Sequence, residues 1–461
     1  MITIAAFISS YFFYPILCRI NYYKMRALLF LLLVLPQLMC AQSAKHFVKT
    51  NKHCFFVDGR PYYYVGANYW YGGLLALQKD KRRGKERLIK ELDFLQSKGV
   101  NNLRVLAGAE GTGIINAVNR VSPPLQPKQG IFNEEVLEGL DYLLFEMGKR
   151  NMKAVLYLSN NWEWSGGFLQ YLNWNGVLAD STLQRKPGWD ELRDQVSKFY
   201  ACDPCKKAYE NQVKHILAHT NIYSGIKYIN DPAIMSWEIA NEPRPMRPAA
   251  VNAYKEWIFS VATLIKSIDK NHLVTAGTEG VIGTENSAEL YTAAHAATVI
   301  DYLTIHIWPK NWAWFSDTSI AKGLPAAIKK TNDYIQQHER IAEKLHKPLV
   351  IEEFGLPRDG HSFSPGSTTN SRDIYYRSVL ETQQMSFLKN GVIAGLNFWA
   401  FGGYARPIPG QLFWKEGDDY MGDPPQEEQG LNVVFDSDSS TWMIIQSYAE
   451  KINGIKRAGK R

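Results

Sequence analysis

Short apolar runs, rich in β-branched and aromatic residues and ending in polar side chains, recur along this chain. They are Tyr62–Tyr69, Asn102–Ala107, Ala154–Ser159, Ile234–Ala240, Leu273–Gly277, Tyr302–Ile307, Leu349–Glu353 and Val392–Trp399. Between them lie longer stretches whose apolar residues return every three or four positions, such as Gly84–Ser97, Glu134–Lys149, Glu191–His219, Pro248–Asp269, Ile320–Leu345 and Ser371–Lys389. The first pattern marks buried strands and the second marks helices with one face on a core. Eight such alternations predict an α/β fold, a single (β/α)8 or TIM barrel with elaborated loops at its C-terminal face. An open doubly wound sheet uses the same alternation, but it normally carries a glycine-rich phosphate turn after its first strand. Gly66-Ala-Asn-Tyr-Trp70 is not such a turn.

Residues 1–44 break the pattern. From Met25 the chain shows Arg26, an apolar core Leu28–Leu35 and a small-residue exit near Ala41, the layout of a secretory signal peptide too short to span a membrane. Residues 1–24 fit no part of that layout, so Met25 reads as the true start and the preceding segment as an over-extended one. Residues 45–461 contain no Ser/Gly/Pro-rich linker and read as one domain. The expected product is secreted or periplasmic, with no membrane span in the mature chain. A lipid anchor at Cys40 is the alternative, and Gln37, Leu38 and Met39 are poor residues for it.

Charge and cysteine change the picture little. Of the formal +7, Arg19, Lys24 and Arg26 supply three, leaving +4 on the remaining residues. No basic stripe exists beyond Lys81–Arg83 and the tail 456–461, so nucleic acid is not an expected partner. Cys202-Asp-Pro-Cys205 is compatible with a redox motif, half a zinc site or a local disulfide. No second Cys pair or His cluster follows it, and in an exported protein a small structural disulfide in a loop is the plain reading.

Barrel chemistry sits where strands end. The residues there are Asn68 and Trp70, Arg104, Asn160-Asn161-Trp162, Asn241-Glu242, Thr278-Glu279, His306 and Trp308, Glu352-Glu353, and Trp399. Carboxylates, amide and guanidinium donors, and indoles on one rim describe a site for a polyhydroxylated ligand. Among the 13 Trp and 25 Tyr are rings suited to stacking on sugar faces.

Trp237-Glu-Ile-Ala-Asn-Glu-Pro-Arg244 at the fourth strand end resembles the acid/base motif of family 5 glycoside hydrolases. Leu349-Val-Ile-Glu-Glu-Phe-Gly-Leu-Pro-Arg-Asp359 at the seventh resembles their nucleophile motif. Over residues 45–455 the chain is most similar to the endo-β-1,4-mannanases, through Gly66-Ala-Asn-Tyr-Trp70, Leu158-Ser-Asn-Asn-Trp162, Asn241-Glu-Pro-Arg244 and His306-Ile-Trp-Pro309. The resemblance implies Glu242 as general acid/base and Glu353 as nucleophile of a retaining double displacement. It implies Asn241 at the sugar 2-hydroxyl, Arg104 and His306 tuning the nucleophile, Trp399 as platform, and Trp70, Asn161 and Trp308 as further substrate-binding positions. Trp308 departs from the family, in which many members carry Tyr; an indole donates one N–H and accepts nothing. Two strand ends facing each other across a barrel mouth suit carboxyl groups that must stand ~5–5.5 Å apart.

Within the motifs, Glu238 shares strand parity with Glu242 and reads as a buried, paired structural acid. Alternation puts Glu352 on the face opposite Glu353. The stretch 406–430 is too long for an ordinary barrel loop and reads as a wall of the substrate cleft. The expectation is a monomeric, secreted endo-β-1,4-mannanase acting on mannan, glucomannan or galactomannan, with no metal and no cofactor. The alternatives are a β-1,4-glucanase, a mannobiose-releasing exo-enzyme, and a catalytically silent mannan-binding barrel.

Overall fold

The computed structural model describes residues 46–77, 80–316 and 319–454. The signal-peptide, Met25 and Cys40 expectations therefore lie outside the described residues. From Phe47 onward the chain is one compact unit.

Eight parallel strands form the barrel: β1 (Tyr64–Asn68), β2 (Asn102–Leu106), β3 (Lys153–Tyr157), β4 (Ile234–Glu238), β5 (Leu273–Thr275), β6 (Leu303–Ile307), β7 (Leu349–Phe354) and β8 (Ile393–Phe398). Their order is β5-β4-β3-β2-β1-β8-β7-β6. The seam between short β5 and β6 is closed by single bonds rather than a ladder: Asp301 N–H to Val274 O at 2.8 Å and His306 N–H to Glu279 O at 3.1 Å. A barrel helix follows each strand: α1 (Lys81–Ser97), α2 (Glu134–Lys149), α3 (Asp203–Ala218), α4 (Val251–Ile268), α5 (Ala288–Ala296), α6 (Ile320–Leu345), α7 (Asn370–Leu388) and α8 (Ser439–Gly454), with three shorter helices, Gly167–Trp174, Asp180–Leu183 and Trp189–Ser197, between β3 and α3. All residues of the eight strands are buried, as expected for a sheet covered on both faces.

The expected run Tyr62–Tyr69 divides in two. Arg60–Tyr62 belongs to a three-stranded antiparallel sheet with Lys49–Asn51 and Cys54–Val57, and β1 begins at Tyr64. That sheet places Phe55 edge-on to Tyr302 at 5.3 Å and against Tyr64 at 6.3 Å, where β6 and β1 begin. It plugs the end of the barrel away from the chemistry.

The expected helix Glu191–His219 is also broken. Trp189–Ser197 and α3 are separated by a short turn, and Cys202 caps α3, its Sγ accepting from Cys205 N–H at 3.3 Å. The disulfide Cys202–Cys205 thus closes the first turn of a helix rather than a free loop. Pro204 suits this position, because the first turn has no use for its missing N–H.

The pairing of β6 with β7 carries the correction that matters most for function. Ile305 pairs with Ile351, but His306 pairs with Glu353, so Glu352 is an extra residue in the ladder. A bulge of this kind resets alternation. Glu352 consequently does not lie opposite Glu353: it lies inside the barrel, 3.8 Å from Arg104 Nε and 3.5 Å from His306 Nε2.

A four-residue disulfide loop removes little unfolded-state freedom. Replacing Cys202 and Cys205 together with Ser is expected to cost at most about 2 kcal/mol. Thermal melting with and without reductant measures it, and a reduced protein that fails to fold would contradict the expectation.

Candidate active site

Arg104, fully buried on β2, is the centre from which the site is built. Its guanidinium lies over the Tyr157 ring at 4.7 Å. Nε and Nη2 donate to the two oxygens of Glu238 at 2.8 and 2.6 Å, and Nη2 also donates to Asn241 Oδ1 at 2.6 Å. Nη1 donates to Asn68 Oδ1 at 3.0 Å and to Glu353 Oε1 at 2.5 Å. Asn68 in turn donates to the Glu352 and Phe398 carbonyls, joining β1 to β7 and β8. Glu238 is the buried, paired acid that its strand parity implied.

Glu353 receives a second donor. Trp308 Nε1–H reaches its Oε2 at 3.0 Å. The indole thus provides the single N–H that its chemistry permits at this position.

Glu242 follows β4 in the left-handed region, φ 51°, unusual for a side chain of this size. The surrounding bonds fix that conformation: Glu242 N–H to Gly277 O at 2.9 Å, Asn241 N–H to Ser159 O at 2.9 Å and Asn161 N–H to Asn241 O at 3.0 Å. Gly277 must be glycine. Its φ is +80°, and a Cβ there would stand 2.1 Å from Ala240 O. The carboxyl of Glu242 accepts from Trp162 Nε1–H at 2.5 Å on Oε2, and its Oε1 lies 2.7 Å from His306 Nδ1.

His306 Nδ1 also lies 3.4 Å from Glu353 Oε2. Oxygens of Glu242 and Glu353 and the His306 nitrogen all fall within 4.8 Å of one another. Three such atoms would suit a divalent ion, but Arg104 already places a full positive charge on Glu353 and opposes a second cation there.

Burial raises the affinity of both Glu242 and Glu353 for protons; the Glu242 charge raises it further in Glu353, while Arg244 and the Trp162 N–H oppose the rise at Glu242. Two carboxylates this close hold one proton between them. Arg104 bonds directly to Glu353 and the Trp308 N–H adds a second donor, contacts that favour the charge on Glu353 and the proton on Glu242. Burial, and then Arg104, push His306 down to about 3, leaving it neutral at any working pH.

The dyad opens into a cleft of about 510 Å³ lined by Trp162, Trp164, Trp189, Asn241, Arg244, Glu279, Trp308, Asn311, Trp312 and Trp399, among others. Trp399 meets Trp308 edge-on at 6.0 Å, and its Nε1–H has no partner among the described residues. Arg244 pairs with Glu279 and lies over the rings of Trp162 and Trp189 at 5.0 and 6.0 Å.

Four of the expected substrate-binding positions sit outside the lining: Arg104 and His306, fully buried beneath the dyad, and Trp70 and Asn161. Trp70 is 1% exposed and packs against Trp164 and Tyr420, with its Nε1–H donating to Gly422 O at 2.8 Å. It supports a wall rather than facing the cleft. Asn161 lies beneath the rim, its Oδ1 accepting from Arg244 N–H at 3.3 Å.

The long segment after β8 does form a wall. Arg83 pairs with Asp419, Trp414 stacks on Tyr420 at 4.8 Å, and Asp423 accepts from Gly430 and Asn432 N–H. Pro424, Gln426 and Glu427 then reach the cleft. Burial and the Asp423 charge push Glu427 up to about 8. No motif marks these three residues; only the length of the segment signalled their importance. Arg244 lies within a quoted motif, but its stacking on two indoles depends on Trp189, which comes from the distant β3–α3 connection.

This fold and this dyad define a (β/α)8 glycoside hydrolase. Residues 45–457 match the family described as GH family 5 beta-mannosidase-like, and the chain belongs to that family. It is similar to mannan endo-1,4-beta-mannosidase 7 of Arabidopsis thaliana, with 27% identity covering 94% of this chain and 93% of the relative. The glycoside hydrolase family 5 mannosidase of Rhizomucor miehei superposes with a TM-score of 0.80 at 32% identity, covering 89% of this chain and 98% of that one. The endo-1,4-beta-mannanase of the same fungus shares the fold, with a TM-score of 0.62 at 22% identity.

The two indole donors act on opposite partners, so their removal has opposite signatures. Trp308→Phe withdraws a donor from ionised Glu353 and is expected to move the acidic limb of kcat/KM upward by about half to one pH unit. Trp162→Phe withdraws a donor from Glu242 and is expected to move the alkaline limb upward by a similar amount. Each is expected to lower kcat/KM about tenfold. Profiles on a chromogenic β-glycoside measure both effects, and unmoved limbs would refute them.

Proposed function

We propose that the protein is an exported, retaining endo-β-1,4-mannanase acting on mannan, glucomannan or galactomannan. The observation that carries the chemistry is the approach of Glu242 and Glu353 to within 4.8 Å at the ends of opposed strands. That spacing suits attack by one carboxylate on the anomeric carbon and leaves no room for the water of an inverting reaction. The names borne by the relatives support mannan as the substrate, and the signal-peptide pattern beginning at Met25 supports export.

In the first step Glu353 attacks the anomeric carbon while Glu242 gives its proton to the leaving oxygen, forming a glycosyl ester and a free sugar end. The ester no longer carries the charge that held the proton on Glu242. Glu242, now ionised, takes a proton from water as that water displaces Glu353. Asn241, tied by Arg104 and Asn160, presents its amide beside the reacting sugar, and Trp399 lies beneath it. His306 remains neutral throughout and orients both carboxyls without altering their charge.

A second reading, release of short units from a chain end, draws on the wall after β8. Pro424, Gln426 and Glu427 line the same cleft as the dyad.

Glu353→Gln is expected to abolish hydrolysis, and Glu242→Gln to reduce it by about 10²–10⁴-fold, both with unchanged melting. Near-native turnover in either variant would overturn the assignment. For the mode of attack, early products from mannohexaose decide: internal cutting gives a spread of lengths, whereas only mannose or mannobiose would replace the endo reading with the chain-end one. Parallel assays on carboxymethylcellulose exclude or establish a glucanase.

A further inference from the structure

Beneath the dyad lies a second pair of acids that the two-step reaction does not use. The bulge in β7 carries Glu352 into the interior, where its side chain has no exposed surface. The groups facing it are Glu238 of β4, Arg104 of β2, His306 of β6, Glu353 of its own strand, Tyr64 of β1, and Tyr302 and Tyr291 beside β6. Arg104 is the only guanidinium or ammonium within ion-pair distance of Glu352 among the described residues, and it stands at 3.8 Å. Its N–H groups are directed elsewhere: Nε and Nη2 to Glu238, Nη2 also to Asn241, and Nη1 to Asn68 and Glu353.

As a carboxylate, Glu352 would therefore be a buried charge with little to hold it. Its Oε1 has no hydrogen-bond partner among the described residues, and its Oε2 meets the neutral His306 at 3.5 Å and Arg104 Nε, beyond hydrogen-bond distance, at 3.8 Å. A buried anion in that position is costly, whereas a carboxylic acid is not. A proton on Glu352 turns one oxygen into a donor, and Glu238 is the side chain within its hydrogen-bonding reach. We propose that Glu238 and Glu352 share one proton and remain singly charged throughout the reaction, with Glu352 a positioning residue that leaves Arg104 Nη1 free for the nucleophile. Burial and the Glu238 charge both raise the proton affinity of Glu352, in keeping with this arrangement. A pair charged twice would spread one guanidinium over three carboxylates and raise the proton affinity of Glu353.

The kinetic consequence rests on Glu353 being the nucleophile; the presence of the proton does not. Infrared difference spectroscopy at pH 7 therefore compares Glu242→Gln with Glu242→Gln/Glu352→Gln. The expected result is loss of one protonated-carboxyl band, and loss of a carboxylate band instead would overturn the proposal. If the double variant does not fold, Glu238→Gln in the same background is expected to remove the same band, because Glu352 then pairs with Arg104 as a carboxylate.

In the kinetic arm, Glu352→Gln is a neutral replacement for a neutral group. Its acidic limb of kcat/KM is expected to stay within about half a pH unit of the wild type, whereas a fall of about one unit or more would show that a charge had been removed. Glu352→Met lacks the donor to Glu238 and is expected to be at least about tenfold slower than Glu352→Gln; equal rates would refute the positioning role. A protein inactive on every β-mannoside would sink the proposed function and leave the infrared result standing.

Discussion

A single buried cation organises this site. Arg104 has no exposed surface, and its guanidinium bonds to two carboxylates and two amides that come from β1, β4 and β7 or the turn just beyond β4. A guanidinium suits this task because its donors are rigid, planar and permanently protonated; an ammonium would present one point charge to partners arranged around a plane. The stability of such a cluster is conditional. Removing one partner of a buried pair typically costs about 3–5 kcal/mol because the remainder is left uncompensated. Here the remainder would be Glu238 and Glu353 together, so folding of the barrel interior and function of the rim depend on the same residue.

The two carboxyls of the proposed dyad differ in their partners rather than in their depth. Both are buried, at 6% and 3% exposure. Glu353 has a directly bonded cation and an indole N–H, whereas Glu242 has an indole N–H, a neutral imidazole and the charge of Arg244 acting without a direct bond. The asymmetry is electrostatic, and in the proposed reaction it favours Glu353 as the acid that attacks and Glu242 as the one that donates. Because His306 is deeply buried beside Arg104, it adds direction without adding charge.

Much of this was legible in the sequence, and what was not has a physical explanation. Barrel strands are short, buried and regularly spaced, so their runs stand out, and the polar residues that end them are the residues of the site. Glu238 was readable as a paired acid because Ser236–Glu238 pairs in regular register, the shift in β4 falling before it at Met235. Glu352 was not, because a bulge depends on how β6 and β7 register against each other, and no property of either strand alone encodes it. Trp70 belongs to a rim motif, yet its ring turned out to be covered by Tyr420 from a segment some 350 residues later in the chain. Trp308 shows the opposite case: an indole in place of Tyr put the hydrogen bond to the nucleophile position in question, yet a donor is all that Glu353 takes from it.

The wall after β8 shows why the ends of a cleft are harder to infer than its centre. The dyad requires particular residue types at fixed strand ends, so its signature is local. Pro424, Gln426 and Glu427 take their positions from remote ties: Arg83 to Asp419, Arg87 to the Tyr420 carbonyl, Trp70 to the Gly422 carbonyl, and Arg372 to the Leu431 and Val433 carbonyls. Each tie comes from a barrel helix or strand end, so the wall is an extension of the scaffold and not an independent flap. Bond chemistry and cleft length are therefore set by different parts of the chain. A change confined to 404–433 can alter where along a polysaccharide the enzyme cuts while leaving Arg104 and its carboxylates as they are.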